Sequence, residues 1–323
     1  MSVMTGEHQD RARFTALLLG SEAAPEPTTI GGRVARGVVI DATSYMLCLA
    51  TPNGEERFLY ERVTSFWRGG EVRPTELRPG DDAVVLCSHD GRLVAERVWA
   101  QAARATGVIA DRDGDTLEID TGHGRPRLTV VVPYRASGRI TVRHPRLEPG
   151  YLFDAVGVWH DGAVRAVRPA TTQPPYPLAA TPRRPPARAH SSTLSGIATW
   201  YDPAWGRASH LDPRAHRTGV AYPAIDRVGH PGDCDRRTSC APLPLLSTGA
   251  VLSLRNDCTR AAAALPVIDC AAADSWSCDL CSACGGQGAG RLASLTMTSF
   301  VALGGRLEDG CFNATVTVHD KEV

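Results

Sequence analysis

The chain has 323 residues, 43% hydrophobic and 22% charged, a balance that excludes disorder throughout. At roughly 150 residues per domain, the length calls for two or three domains, each able to bury its own core. Lys plus Arg equals Asp plus Glu at 35 each, so no net field draws the chain to nucleic acid or to an anionic membrane. All the cations but Lys321 are Arg, which we read as compositional bias.

Residues 1–30 hold one apolar run, Phe14 to Gly20, behind Arg11 and Arg13 and the acidic Glu7 and Asp10. It sits at the minimum length for the core of a signal peptide and reads as a degraded signal or as a short helix capping the first domain. No stretch approaches the roughly 18 apolar residues of a membrane span, so no transmembrane segment is expected.

Residues 31–101 and 102–168 form an internal repeat. Gly37-Val38-Val39-Ile40-Asp41 recurs as Gly107-Val108-Ile109-Ala110-Asp111. Pro74 to Gly80 recurs as Pro145 to Gly150, and His89-Asp90-Gly91 as His160-Asp161-Gly162. Ordered matches at one spacing mark a duplicated unit. Each unit predicts about five short strands, with turns at Pro52-Asn53-Gly54 or Asp113-Gly114-Asp115, a Pro-Gly turn and a His-Asp-Gly hairpin. The expected fold is a small β-barrel or sandwich. The turn pattern resembles that of small β domains found in pairs in bacterial envelope proteins. Phe66-Trp67-Arg68 and Tyr134-Arg135 are too sparse for a nucleic-acid stacking platform, and core or edge packing is the expectation for these aromatics. The repeated His-Asp-Gly is read as a turn and not as a catalytic pair.

Seven Pro lie between Pro169 and Pro186, so residues 169–192 are read as a semi-rigid, extended spacer. Residues 193–323 hold eight of the ten Cys: Cys234, Cys240, Cys258, Cys270, Cys278, Cys281, Cys284 and Cys311. Their density reads as a disulfide framework, which places the chain outside the reducing cytosol. The rival reading is a thiolate site for zinc or an iron–sulfur cluster on Cys278, Cys281 and Cys284, with Cys270 as a fourth ligand. His210, His216, His230, Asp212 and Asp226 match no metal-ligand spacing and are read as solvated loop residues. No metal site or other cofactor is assigned. Asn313-Ala314-Thr315 is a formal glycosylation sequon inside an alternating strand.

Within this region the pattern predicts a strand opening at Gly196, a turn at Gly249, and strands at Leu265 to Cys270 and Asn313 to Val318. A short helix is expected from Met297 to Leu303, stopped by Gly304-Gly305. Ala198-Thr199-Trp200-Tyr201, the small-residue strand Ser247 to Leu252, Val267-Ile268-Asp269, and Leu295-Thr296 with Phe300 and Leu303 resemble the rare lipoprotein A (RlpA)-like family and its expansin and barwin relatives over about residues 194–318. The resemblance implies a six-stranded double-psi β-barrel, and so an all-β chain of two small β units, a Pro-rich linker and that barrel with its short helix. It also implies a groove for wall polysaccharide, and in some members cleavage of peptidoglycan as a lytic transglycosylase.

The family's motif carboxylate maps onto Asp269, which would act as general acid and then base. The family's second Asp falls on Ser294, which removes charge from the site, and Asp274 and Asp279 are the candidates to replace it. Trp200 and Tyr201 are candidate floors for a sugar ring. The expectation is an exported or envelope-associated protein that binds cell-wall glycan or peptidoglycan, with weak or no catalysis. Its alternatives are a glycan-cleaving enzyme using Asp269, or a metal-stabilised interaction protein.

Overall fold

A computed structural model describes residues 32–88, 93–122, 125–137, 146–169, 192–204, 212–225, 240–278, 280–281 and 290–318. The apolar run near the N-terminus, the hairpin at His89, the Pro-rich spacer and the loop residues His210, Asp226 and His230 lie outside them. The fold is all-β and consists of three closed barrels.

The first barrel closes in the order β1 (Val34–Ala42), β2 (Met46–Thr51), β3 (Gly54–Trp67), β5 (Val94–Ala100), β4 (Asp82–Cys87). The second repeats that order with β6 (Ala102–Asp113), β7 (Thr116–Asp120), β8 (Leu128–Val131), β10 (Ala163–Pro169) and β9 (Leu152–His160), and carries a helical turn, α1 (Tyr134–Ser137). The duplication reaches individual atoms. β1 bulges between Val39 and Asp41, and β6 between Ile109 and Asp111. At each bulge the Pro-Gly turn closes back on the strand, Gly80 N–H donating to the Val39 carbonyl and Gly150 N–H to that of Ile109. Both glycines have positive φ, which only glycine adopts without strain. His160-Asp161-Gly162 is a tight hairpin with φ of 50° and 78° at its central residues, and its His is exposed.

Alternation buries one face of each strand. Phe58, Val85 and Val98 fill the first barrel, and Ile109, Ile119 and Val130 the second. Phe66 and Trp67 are buried as expected, whereas Tyr134 stands 92% exposed because the turn of α1 points it away from the sheet.

The third barrel has six strands in the order β11 (Ser192–Tyr201), β15 (Arg291–Thr296), β12 (Val220–Tyr222), β14 (Ala262–Cys270), β13 (Val251–Asn256), β16 (Cys311–Val318). β11/β15 and β12/β14 pair in parallel and the other neighbours antiparallel. A helical turn, α2 (Ala272–Ser275), follows β14, and α3 (Met297–Ala302) follows β15. Thr296 caps the start of α3 through its hydroxyl. Gly304 and Gly305 end it, their N–H groups donating to the Val301 and Phe300 carbonyls with φ of 78° at Gly304. Asn313 is buried within β16, as a sheet residue.

Cys240 is bonded to Cys278 and Cys281 to Cys311, and Cys258 and Cys270 are disulfide-bonded as well. Two members of the C-x-x-C-x-x-C run are thus engaged in disulfides. Cys234 and Cys284 lie outside the described residues. Cys48 and Cys87, both in the first barrel, are buried free thiols, and burial pushes Cys87 up to about 11.

The barrels dock directly. Trp67, Val84 and Trp99 of the first and Ala102 and Val156 of the second belong to one apolar cluster with the core of the third. At one end of this seam the carbonyl of Glu308 accepts from Arg168, that of Gly310 from Arg104, and the Glu308 carboxylate from the Trp99 indole.

Candidate functional site

The last two residues of β11 face opposite ways, as strand alternation requires. Trp200 turns inward, fully buried, and its indole N–H donates to the Leu307 carbonyl at 2.9 Å. Tyr201 turns outward, into a groove of about 440 Å³ between the third barrel and the second. Its hydroxyl is buried without a hydrogen-bond partner among the described residues. Burial, and then the nearby Asp269 carboxylate, raise that hydroxyl far above its ordinary pKa.

Asp269 reaches the same groove from β14. One carboxylate oxygen accepts from the Cys270 backbone N–H at 2.8 Å and the other from Arg125 of the second barrel, also at 2.8 Å. Both the carboxylate and the guanidinium keep about a quarter to a third of their surface exposed. Ser294 lies across the sheet from it. Ala221 of β12 pairs with Asp269 on one side and with Ser294 on the other, so the two positions singled out by motif are separated by one strand. The Ser294 hydroxyl is buried and lies 2.6 Å from that of Thr199.

Asp274 lies elsewhere, on α2. Buried there, it pairs with Arg291 at 2.8 Å, and Arg291 bridges to Asp154 of the second barrel, which Arg104 also holds. Asp279 is outside the described residues. Asp269, Tyr201 and the second barrel therefore meet in the open groove. Ser294, Trp200 and Asp274 border only a smaller cavity of about 80 Å³ behind it.

The residues that sequence reasoning missed come mainly from the second barrel. Arg125 and Arg127 lie between β7 and β8, and Trp159 is near the end of β9; all three line the groove, and Thr121 lines the smaller cavity. The sequence signal that could have found two of them is the closely spaced Arg125-Pro126-Arg127, which the sequence reading did not use. Arg214 and Arg217, from the short turn at Pro213–His216 and the residue after it, complete a cationic wall. Asp212 caps that turn and pairs with Arg214 at 2.6 Å. Arg127 and Arg217 make no ion pair among the described residues. No cluster of three or more His, Cys, Asp or Glu suited to a metal ion occurs among the described residues.

In chemical terms the groove offers guanidinium groups, one carboxylate, aromatic rings and hydroxyls, a set suited to hydrogen bonding and to stacking on a polar ring. No helix among the described residues is long and apolar enough to cross a membrane. The sequence matches no protein-family model, and a search of curated proteins finds no significant match.

Proposed function

We propose that the six-stranded barrel is a double-psi barrel of the RlpA-like type, and that the groove at its junction with the second barrel binds cell-wall polysaccharide for an exported or envelope-associated protein. The observation that carries this reading is the convergence of Tyr201 and Asp269 with Trp159 and Arg125 in one open groove of about 440 Å³. A cavity of that size takes one or two sugar rings. The strand order with its two parallel pairs, the helix after β15, and the barrel's disulfides agree with it.

Binding is favoured over cleavage. Asp269 already accepts from Arg125, and across β12 stands the Ser294 hydroxyl in place of a second carboxylate. A glycan-cleaving site needs an acid free to deliver a proton and charge to stabilise an oxocarbenium-like transition state.

The test is co-sedimentation of the oxidised full-length protein with insoluble wall sacculi, with analysis of any released fragments. Retention on the sacculi without anhydro-muropeptide release is expected. Fragment release abolished in Asp269→Asn would establish the transglycosylase instead, and absence of retention on several wall preparations would overturn wall binding.

A further inference from the structure

Resting on the wall-glycan reading, we infer that the junction is a composite site in which the second barrel selects a carboxylate-bearing glycan over a neutral one. Three residues that line the smaller cavity each carry a buried polar atom without a partner among the described residues: the Tyr201 hydroxyl, the Trp159 indole N–H and the Thr121 hydroxyl. Tyr201 and Trp159 line the larger groove as well, so the two cavities share residues. Buried donors are ordinarily satisfied, so three around one cavity mark a place built for a molecule that brings acceptors. The indole can only donate, which fixes that polarity.

Charge sharpens the choice. Arg125, Arg127, Arg214 and Arg217 line the groove against Asp269, the one carboxylate in its lining among the described residues. Arg125 is engaged with Asp269 and Arg214 with Asp212, which leaves Arg127 and Arg217 without a countercharge among the described residues. A neutral glycan leaves these two guanidiniums unanswered, whereas a carboxylate accepts from a guanidinium in a charge-assisted, often bidentate pair. Tyr201 and Trp159 also bring aromatic rings to the lining of that groove, which suits a charge borne on a sugar better than a phosphodiester chain without pyranose rings. Two sources share this chemistry: a uronic acid and the lactyl ether carboxylate of a muramyl residue.

The experiment is titration calorimetry of the full chain with size-matched oligogalacturonate, muramyl-containing glycan chains, chitin oligosaccharide and polyglycerol phosphate. At least one acidic glycan is expected to bind about tenfold or more tighter than chitin, and which of the two does so identifies the source. Arg127→Gln and Arg217→Gln, both at exposed positions, should together remove about tenfold of that affinity and weaken chitin binding much less, so that the preference for the acidic glycan narrows. Tyr201→Phe removes only a hydroxyl that has no partner among the described residues, so it should fold normally and lose roughly fivefold.

Chitin binding as tightly as the acidic glycans overturns the inference and leaves wall binding standing. So does an unchanged affinity in Tyr201→Phe, which would mean that ordered water serves the hydroxyl. Preference for polyglycerol phosphate overturns it in favour of a phosphate polymer. If no probe binds, the inference falls while retention on sacculi persists, and both readings fall if retention is lost as well.

Discussion

Asp154 shows how a single residue holds two barrels together. Its carboxylate is buried, and burial alone would raise its pKa, but the guanidiniums of Arg104 and Arg291 outweigh that and hold it below the ordinary value of 3.8. Glu308 behaves alike: burial is opposed by the Trp99 indole, Arg97 and Arg306, and its carboxyl lies below the ordinary value of 4.5. A carboxyl depressed in the folded state stabilises fully above its unfolded pKa, and that contribution drains away as the pH falls through the folded value. Stability should therefore be flat between about pH 5 and pH 8 and fall steeply below about pH 4, by the linkage relation for such groups. Asp154→Asn should flatten that slope and cost about 3–5 kcal/mol at pH 7, because it leaves two buried guanidiniums facing a neutral amide. Urea titrations between pH 3 and pH 7 measure both effects, and an unaltered acid slope would show that Asp154 does not set it. Arg36 is the counterpart at the first barrel: fully buried, it stays charged between Asp82 at 2.7 Å and Asp202 at 2.8 Å.

At the scale of the element, the repeated glycine of β1 and β6 explains why the two small barrels share a sequence signature. A Cβ on Gly37 would sit 2.3 Å from the Ala50 carbonyl oxygen, and one on Gly107 would sit 2.2 Å from that of Asp120. In both cases the obstacle is the backbone of the neighbouring strand, which cannot turn aside as a side chain can. Gly37→Ala and Gly107→Ala should each destabilise by about 1–3 kcal/mol, the range for overpacking, and by similar amounts because the two sites are equivalent. Chemical denaturation of the two variants checks this, and a cost confined to one of them would break the equivalence. Backbone also confines Gly305 after α3, where a Cβ would sit 2.7 Å from the Phe300 carbonyl oxygen.

Across the whole molecule, the seam joins what composition alone would leave as three separate barrels. Because one apolar cluster runs from Trp67 and Trp99 through Val156 into the third barrel, tryptophan fluorescence and far-UV circular dichroism should report a single coincident unfolding transition. Trp99→Ala removes one of the two tryptophans that the first barrel contributes, together with its hydrogen bond to Glu308, and should cost about 3–5 kcal/mol. Two well-separated transitions in the wild-type protein would show that the seam does not couple the barrels. The two disulfides with both partners among the described residues lie in the third-barrel region. Cys240–Cys278 and Cys281–Cys311 close loops of 38 and 30 residues, and loop closure gives roughly 4 kcal/mol for each, so reduction should loosen this barrel first.

What the sequence determined by itself is what local chemistry encodes. The duplicated unit, its Pro-Gly turns, the turn at His160-Asp161-Gly162, the Gly-Gly stop after α3 and the strand carrying Asp269 were legible because turns and caps need particular residues at fixed offsets, and strands need alternation. The crowding of cysteines likewise showed that the C-terminal region differs in kind from the rest, though not which cysteines pair. Only the tertiary structure decided where the side chains meet. Trp200 and Tyr201 are neighbours in sequence, yet one fills the core and the other faces the groove, because a single step along a strand reverses the face. Asp274, a candidate to supply the carboxylate missing at Ser294, is taken up by Arg291 in a buried ion pair. Arg125 and Trp159 belong to another barrel, far from Asp269 along the chain, and come to the groove through docking along an apolar seam. That seam is built from outward faces of strands, and no local pattern distinguishes an outward face that meets a neighbour from one that meets water.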